Sequence, residues 1–345
     1  MSKSRTLYFT APKQIEIREL ILPILKENEV LVETICSSIS AGTEMLVYRG
    51  EFSHVVDVHD QLSSDLNYPL AYGYACAGRV VEIGGMVKKE WLDKLVFSFQ
   101  PHTSHFISET ESLITIPHSL SAETACFLPN METAVNLVQD GAPIFGERVL
   151  VLGQGIIGLL TASLLSEFPL ERLVTVDHYE LRRNALNVKG QKSKVKSLTP
   201  HDLRPSTFRQ AQGNAFNYLQ NGADLTFELS GSPSALNDAI ALTAFSGRVV
   251  IGSWYGQKRA DIDLGGVFHR SRIKLISSQV STISPELSGR WDKTRRFDAA
   301  WKALERIKPE KWITHRFALN DADKAYQLLD ENPQETIQVI FDYSA

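Results

Sequence analysis

Residues 149–158 read Val-Leu-Val-Leu-Gly-Gln-Gly-Ile-Ile-Gly, and no other stretch limits the fold of this chain so tightly. The apolar run before the first glycine suits a buried strand, and the apolar run after the third suits a helix. Between them the glycines have separate tasks. Gly153 allows the tight turn out of the strand, Gly155 lets a ligand approach the main chain, and Gly158 lets helix and strand pack closely. The N-terminus of such a helix offers unpaired N–H groups and a positive dipole end to an anion. Asp177 stands 24 positions beyond Gly153, at the end of the next β-run, Leu-Val-Thr-Val-Asp. That spacing completes a dinucleotide fingerprint: Gly153, Gln154, Gly155, Ile156, Ile157 and Gly158 at the pyrophosphate, and Asp177 at the adenosine ribose hydroxyls. A carboxylate there repels a 2′-phosphate, so NAD(H) is expected over NADP(H), with Arg182 and Arg183 near enough to soften the choice. The same stretch explains an apolar run of about 17 residues that is marginal as a membrane span.

The surroundings fit this reading. From about residue 120, β-runs and helical runs alternate: Arg148–Leu152 β, Ile156–Glu167 helical, Leu173–Val176 β, Leu181–Val188 helical, Ala223–Leu229 β, Ser234–Thr243 helical, then Arg248–Ile251 and Ile273–Ser277 β. That rhythm is the mark of a doubly wound parallel sheet. The first third is different, with short β-runs at Thr6–Phe9, Gln14–Arg18, Glu29–Ile35, Gly78–Ile83 and Lys94–Phe99. Ala122–Asp140 reads as one long helix capped by Ser121. The last segment holds helical patterns at Phe297–Ile307 and Ala322–Leu329, and a strand at Thr336–Phe341.

The chain of 345 residues has room for two domains, and its 43% apolar content is ample for their cores. Its Lys+Arg 36 and Asp+Glu 40 leave a net charge of −4, so neither nucleic acid nor membrane is an expected partner. Three cysteines, Cys36, Cys76 and Cys126, include no CxxC pair and form no disulfide framework. They read as thiols in a reducing compartment. The opening residues lack the pattern of a signal peptide, and the cytoplasm is the expected location.

Several stretches together resemble the medium-chain dehydrogenase/reductase superfamily over nearly the whole chain. These are Glu29-Val-Leu-Val, Gly42-Thr43-Glu44, the block from Tyr68 to Gly73 followed by Gly78–Gly84, and Ile313-Thr-His-Arg-Phe317 with Ala325-Tyr326. The resemblance implies an α/β protein: a β-rich GroES-like catalytic domain of residues 1–121 and 285–345, and a doubly wound Rossmann parallel-sheet domain of residues 122–284. The departures concern zinc. Zinc-binding members place His-Glu after the glycine at 73, where this chain has Tyr74 and Ala75. The ligand cysteine expected just before Gly42 is replaced by Ser40 and Ala41, and the segment Leu128–Glu132 offers Pro129, Asn130 and Glu132 for a third ligand. Four clustered cysteines of a structural zinc site are excluded by the count of three. A catalytic zinc needs three protein ligands and an open position, so no metal is expected. The run Ser37–Glu44 is similar to a zinc-less branch that includes hydroxyethyl bacteriochlorophyllide dehydrogenases.

Without zinc, hydrogen-bond donors must stabilise charge on a substrate oxygen and a side chain must exchange its proton. The resemblance puts Thr43 in the hydroxyl position of the family's proton relay and Glu44 behind it. Tyr74 takes a metal ligand's place, either to bind the substrate oxygen or to fill the space; Tyr72 is a weaker candidate. Glu132 is a candidate acid or base, or a salt-bridge carboxylate, beside Asn130. His102 and His105 are candidate proton carriers or plain hydrogen-bonding residues. Ser230, Gly252 and Ser253 follow successive β-runs, at the carboxyl ends that face a cofactor in this kind of sheet. Arg290–Arg296 and His269-Arg270 read as a basic surface run, and Trp254-Tyr255 as a pocket wall or ordinary packing. The expectation is a zinc-independent, NAD(H)-dependent oxidoreductase interconverting a small-molecule alcohol and a carbonyl. A quinone or enoyl reductase using NAD(P)H and a catalytically inactive NAD(H)-binding protein are the alternatives. The β-run near 273–281 is the expected edge of a homodimer, and 51–67 a candidate lid.

Overall fold

The structure is a computed structural model that describes residues 3–52, 66–186, 195–203, 219 and 222–343. Most of the candidate lid, 53–65, and the last two positions of the helix expected over Leu181–Val188 lie outside the described residues. The chain forms two compact units, Met1–Pro129 with Leu304–Ala345, and Asn130–Ala303. These joins differ from the expected 121/122 and 284/285. Both fall inside helices, within Leu128–Gly141 and Lys293–Ile307.

The first unit begins with β1 (Lys3–Ala11), β2 (Gln14–Ile21), β3 (Glu29–Ser38), α1 (Thr43–Arg49) and β4 (Leu70–Ala71). It continues through β5 (Cys76–Ile83), β6 (Leu95–Ser98), β7 (His105–Glu109), β8 (Ile114–Thr115) and α2 (Ala122–Ala125) to α3 (Leu128–Gly141). The single helix expected over Ala122–Asp140 is thus two. Ser121 caps α2 as read, its Oγ accepting from Thr124 N at 3.1 Å. The break at Cys126–Phe127 follows from Pro129, which has no N–H to continue a helical ladder but fits a first turn.

The second unit carries β9 (Arg148–Leu152), α4 (Ile156–Leu165), β10 (Arg172–Val176), α5 (Glu180–Ala185), β11 (Val195–Leu198), β12 (Ala223–Glu228), α6 (Ala235–Leu242), β13 (Thr243–Ile251), β14 (Lys274–Ser277) and most of α7 (Lys293–Ile307). The chain then returns to the first unit with β15 (Ile313–Ala318), α8 (Ala322–Glu331) and β16 (Gln338–Asp342). No described helix is long and apolar enough to cross a membrane.

In the second unit the strands run parallel in the order β11-β10-β9-β12-β13-β14. Numbered within the unit this is 3-2-1-4-5-6, the order that leaves a crevice beside the first strand's carboxyl end. β9 and β10 are buried at all but their first residue, as strands covered on both faces must be. In the first unit both ends of the chain build one core. Phe9 of β1 meets Tyr326 of α8 edge to face, and Tyr48 of α1 stacks on the same ring. β3 lies between β5 and β16, with Ser37 opposite Cys76 on one side and Phe341 on the other. That pairing fixes where β3 ends and α1 begins, and so where the candidate hydroxyls stand.

Candidate active site

The glycine turn of the second unit has the shape the sequence demands. Gly153 adopts φ +92°, and a Cβ there would stand 2.5 Å from the Leu229 carbonyl oxygen. A Cβ on Gly158 would lie 1.9 Å from the Gly153 carbonyl oxygen. Gly155 differs: it is the N-cap of α4, and a Cβ there would meet nothing within 4 Å. The first turn of α4 has no side-chain cap, so no side chain competes for its N–H groups, as a phosphate site requires. Asp177 is buried, with Oδ2 accepting from Gln154 N at 2.7 Å and Oδ1 from Tyr179 N at 2.8 Å. A carboxylate has about four acceptor positions, so these two bonds orient it and leave capacity for a ligand's hydroxyls. Arg183 donates to the carbonyls of Asp177 and His178 at 3.0 and 2.6 Å. Arg182 lies over the Tyr179 ring at 4.8 Å; burial draws its pKa down and the Asp177 charge pulls it back up.

The loops after β12 and β13 meet each other. Gly231 N donates to Ser253 Oγ at 2.9 Å, and Gly252 N to the Glu228 carbonyl at 3.1 Å. Gly252 is required for packing, since a Cβ would stand 2.5 Å from Leu137. Glu228, the last residue of β12, is fully buried and was not among the expected site residues. It accepts from Ser230 N and Oγ and from Tyr255 OH, and burial followed by the Glu228 charge pushes the Tyr255 phenol up. The hydroxyls of Ser230 and Ser253 therefore serve the loops themselves. An acidic residue closing an otherwise apolar strand was the available signal.

Glu132 and the basic run 290–296 form an internal ion pair. Glu132 Oε1 accepts from Lys293 Nζ at 2.7 Å and Arg296 Nε at 3.0 Å. Arg296 also donates to Asn136 Oδ1 and to the carbonyls of Val280 and Thr282. The surface expectation for this run is corrected at Arg296, which has no exposure at all. It lies on the helical face of α7 that also buries Ala300 and Ala303. A buried Arg–Glu pair holds because each charge neutralises the other, and the Glu132 carboxylate is taken up by it.

The remaining candidates assemble in the first unit. Thr43 opens α1 right after the turn that follows β3. Tyr74 OH donates to Ser40 Oγ at 2.5 Å, and the Thr43 side chain is near enough to the phenol to draw its pKa down. Three hydroxyls thus converge. Burial pushes the Tyr74 phenol up to about 12; the bonds with Ser40 and Thr43 act the other way and the Glu44 charge adds to the rise. Behind them lies Glu44, fully buried, whose Oε1 accepts from Ser40 N at 2.8 Å and whose Oε2 accepts from Tyr326 OH at 2.6 Å. His102 Nε2 stands 2.8 Å from Glu44 Oε2, and its Nδ1 stands 2.7 Å from Ser37 Oγ. Geometry separates the two histidines: His102 is fully buried, whereas His105 is partly exposed on β7, with Nδ1 3.1 Å from Ser104 Oγ. Ser40, Ser37 and Tyr326 were not among the expected site residues. The Tyr72 and Tyr74 rings meet edge to face, with centroids 6.2 Å apart.

These residues do not suit zinc. Among the described residues no three His, Cys, Asp or Glu side chains converge. Ala41 has no donor atom, and the His102 and Glu44 donors are engaged with each other. Burial pushes the thiols of Cys76 and Cys126 up. Cys126 Sγ lies 3.5 Å from Cys36 Sγ; all three cysteines are buried and free.

No family model matches the chain. By sequence it is similar to the uncharacterized zinc-type alcohol dehydrogenase-like protein YphC of Escherichia coli K12, 27% identical over 229 residues. That alignment covers 66% of this chain and 60% of YphC, less than two thirds of the relative's length. Sorbitol dehydrogenase 1 of Saccharomyces cerevisiae is 21% identical over 366 residues, covering 94% of each chain. Among solved structures, the rspB alcohol dehydrogenase of Escherichia coli CFT073, complexed with NADH, superimposes with a TM-score of 0.75 at 17% identity. It covers 99% of this chain and 100% of that one. The fold is thus the GroES-like plus Rossmann fold of the medium-chain dehydrogenases.

Proposed function

We propose that this chain is an NAD(H)-dependent oxidoreductase that interconverts a small alcohol and its carbonyl compound without zinc. The observation that carries the proposal is the open cradle at Gly155 with Asp177 fixed beside it. In this reading the backbone of Gly153–Gly158 holds the pyrophosphate, and Asp177 takes the adenosine ribose and disfavours a 2′-phosphate. Ser230, Gly252 and Ser253 present main chain to the nicotinamide half. Bound NAD(H) supplies or accepts the hydride. The dehydrogenase names of the relatives support the reaction class.

The chain's own chemistry lies in the three hydroxyls. A phenol with its pKa pushed up to about 12 is protonated at neutral pH, so Tyr74 is a proton donor. Turned away from Ser40 Oγ, its O–H donates to a carbonyl oxygen and gives up its proton as negative charge develops there. Thr43 and Ser40 hydrogen-bond the phenolate oxygen left behind. In the oxidative direction the phenolate takes up the alcohol's proton, the same step reversed. Glu132, spent on Arg296 and Lys293, acts in this reading only in stability. We also propose a homodimer built on the β14 edge, because an uncovered sheet edge invites pairing.

Binding of NADH and NADPH, followed by nicotinamide fluorescence with the purified protein, tests the cofactor assignment. Absence of binding, or preference for NADPH, overturns it. Elemental analysis showing one zinc per chain overturns metal independence. A panel of aldehydes, ketones, enones and quinones with NADH tests the reaction, and turnover confined to enones or quinones moves it to C=C or quinone reduction. Light scattering during size exclusion decides the dimer.

A further inference from the structure

The proposed reaction makes no use of two fully buried ionisable side chains of the first unit, Glu44 and His102. Neither touches solvent, yet both reach the hydroxyl cluster. Glu44 ties the turn after β3 at two points: its Oε1 accepts from Ser40 N at 2.8 Å, and its own N donates to the Ser40 carbonyl at 2.9 Å. That ring closes the segment Ser40–Glu44, which carries Ser40 and Thr43. His102, in the loop between β6 and β7, does the corresponding work at Gly73. Its ring packs against Gly73, where an added Cβ would stand 2.9 Å from His102 Cδ2. Gly73 adopts φ +124° and immediately precedes Tyr74. A single imidazole therefore sets the backbone that delivers Tyr74, while its Nε2 meets the carboxylate that delivers Ser40 and Thr43.

The imidazole is itself held on every side. Ser37 Oγ stands at its Nδ1, and Tyr343 OH lies 2.9 Å from Ser37 Oγ. The Phe341 ring meets it edge to face at 4.9 Å, and its backbone carbonyl accepts from Leu7 N at 2.9 Å. Tyr326 OH donates to the same Glu44 oxygen that faces the ring. Groups buried this deeply, with every polar atom met, hold a geometry that a surface loop cannot.

We infer that His102 and Glu44 are positioning residues of the hydroxyl site: together they fix Ser40, Thr43 and Tyr74 relative to one another. The inference rests on the reading of Tyr74 as proton donor. The titratable groups facing the phenol are Glu44, behind the Ser40–Thr43 turn, and Tyr72 across the ring contact. Removing the carboxylate charge makes the phenolate easier to form, and loosening the turn misplaces its hydroxyl partners.

The test uses the full chain and two readouts. The ionisation of Tyr74 is followed by ultraviolet titration as the difference between wild type and Tyr74→Phe, which needs no turnover. Steady-state kinetics with NADH and the best carbonyl of the panel give kcat and KM. Glu44→Gln is expected to move the Tyr74 ionisation to lower pH, to lower kcat about tenfold or more, and to leave NADH affinity unchanged. Added to Tyr74→Phe it should lower kcat little further, because both act through one group. An unmoved Tyr74 ionisation with unchanged kcat overturns the inference, as does a double variant whose losses multiply. Should Glu44→Gln not fold, Ser37→Ala removes one holder of His102 and little volume. Lowered kcat with unchanged NADH affinity then supports positioning, and unchanged kcat overturns it. Wild-type inactivity on every carbonyl would defeat the proposed reaction alone, since the ultraviolet titration still reads the positioning.

Discussion

In the proposed function, the glycine turn of the parallel-sheet unit and the hydroxyl cluster of the β-rich unit would meet a ligand in opposite ways. At the turn the working groups are main-chain N–H donors, and side chains are excluded: Gly153 and Gly158 leave no room for a Cβ, and Gly155 keeps open space in front of the helix. At the cluster the working groups are side-chain oxygens on separate elements, brought within hydrogen-bond reach by a buried carboxylate and imidazole. A backbone site is made by the local conformation of about ten residues. A side-chain site is made by packing, and its precision depends on residues that never touch the substrate.

That difference can be broken experimentally, and the largest expected effect lies at the turn. Gly158→Ala places a methyl against the Gly153 carbonyl, which must shift and take the phosphate cradle with it. NADH binding should be lost and thermal stability lowered by about 1–3 kcal/mol, read by fluorescence titration and calorimetry. Retained NADH affinity would show that the turn is not a backbone site. Next in size is Tyr74→Phe. Loss of the proton donor should lower kcat by about 10²–10⁴-fold with little change in NADH affinity or melting temperature. An active phenylalanine variant would return the chemistry to another group.

Asp177→Asn sharpens the comparison at smaller cost. It keeps one acceptor oxygen for the main chain but removes the charge, so the preference for NADH over NADPH should narrow by about tenfold. An unchanged ratio means that the carboxylate does not choose the cofactor. The smallest effect expected is none. Because burial holds Tyr74 protonated up to about 12, kcat for carbonyl reduction should not fall as pH rises from about 7 to about 10. The sign follows from the role: a proton donor loses activity only as pH passes its own pKa. A fall near neutral pH would return the proton transfer to another group.

How much of this was readable from residues alone varies by element. The strand, turn and helix around Gly153–Gly158 appear where the sequence places them, as does Asp177 at the end of β10. The helix break at Cys126–Phe127 was masked by an apolar pattern that runs through it, although Pro129 was a visible warning. Arg296 was misread because charge suggests solvent; its place in the 3.6-residue period of α7, with Ala300 four positions on, was the better guide. His102 and His105 sit three residues apart in one segment, and nothing local says which one is buried. Ser37, Ser40 and Tyr326 are ordinary residues in the sequence and acquire meaning only around Glu44.

The amino-acid sequence by itself determined the parallel-sheet unit, its glycine turn and the acid beside it, because each depends on short-range spacing and on the absence of a Cβ. It also determined that Ser40 and Ala41 precede Gly42 and that the chain has three cysteines, which are compositional facts. Only the tertiary structure decided which carboxylate is paired, which histidine is buried, and which hydroxyls meet. Those outcomes join residues 37–44, 73–74, 102, 326 and 343. Contacts across such separations are settled by how β3, β5, α8 and β16 pack, and no local pattern in the sequence carries them.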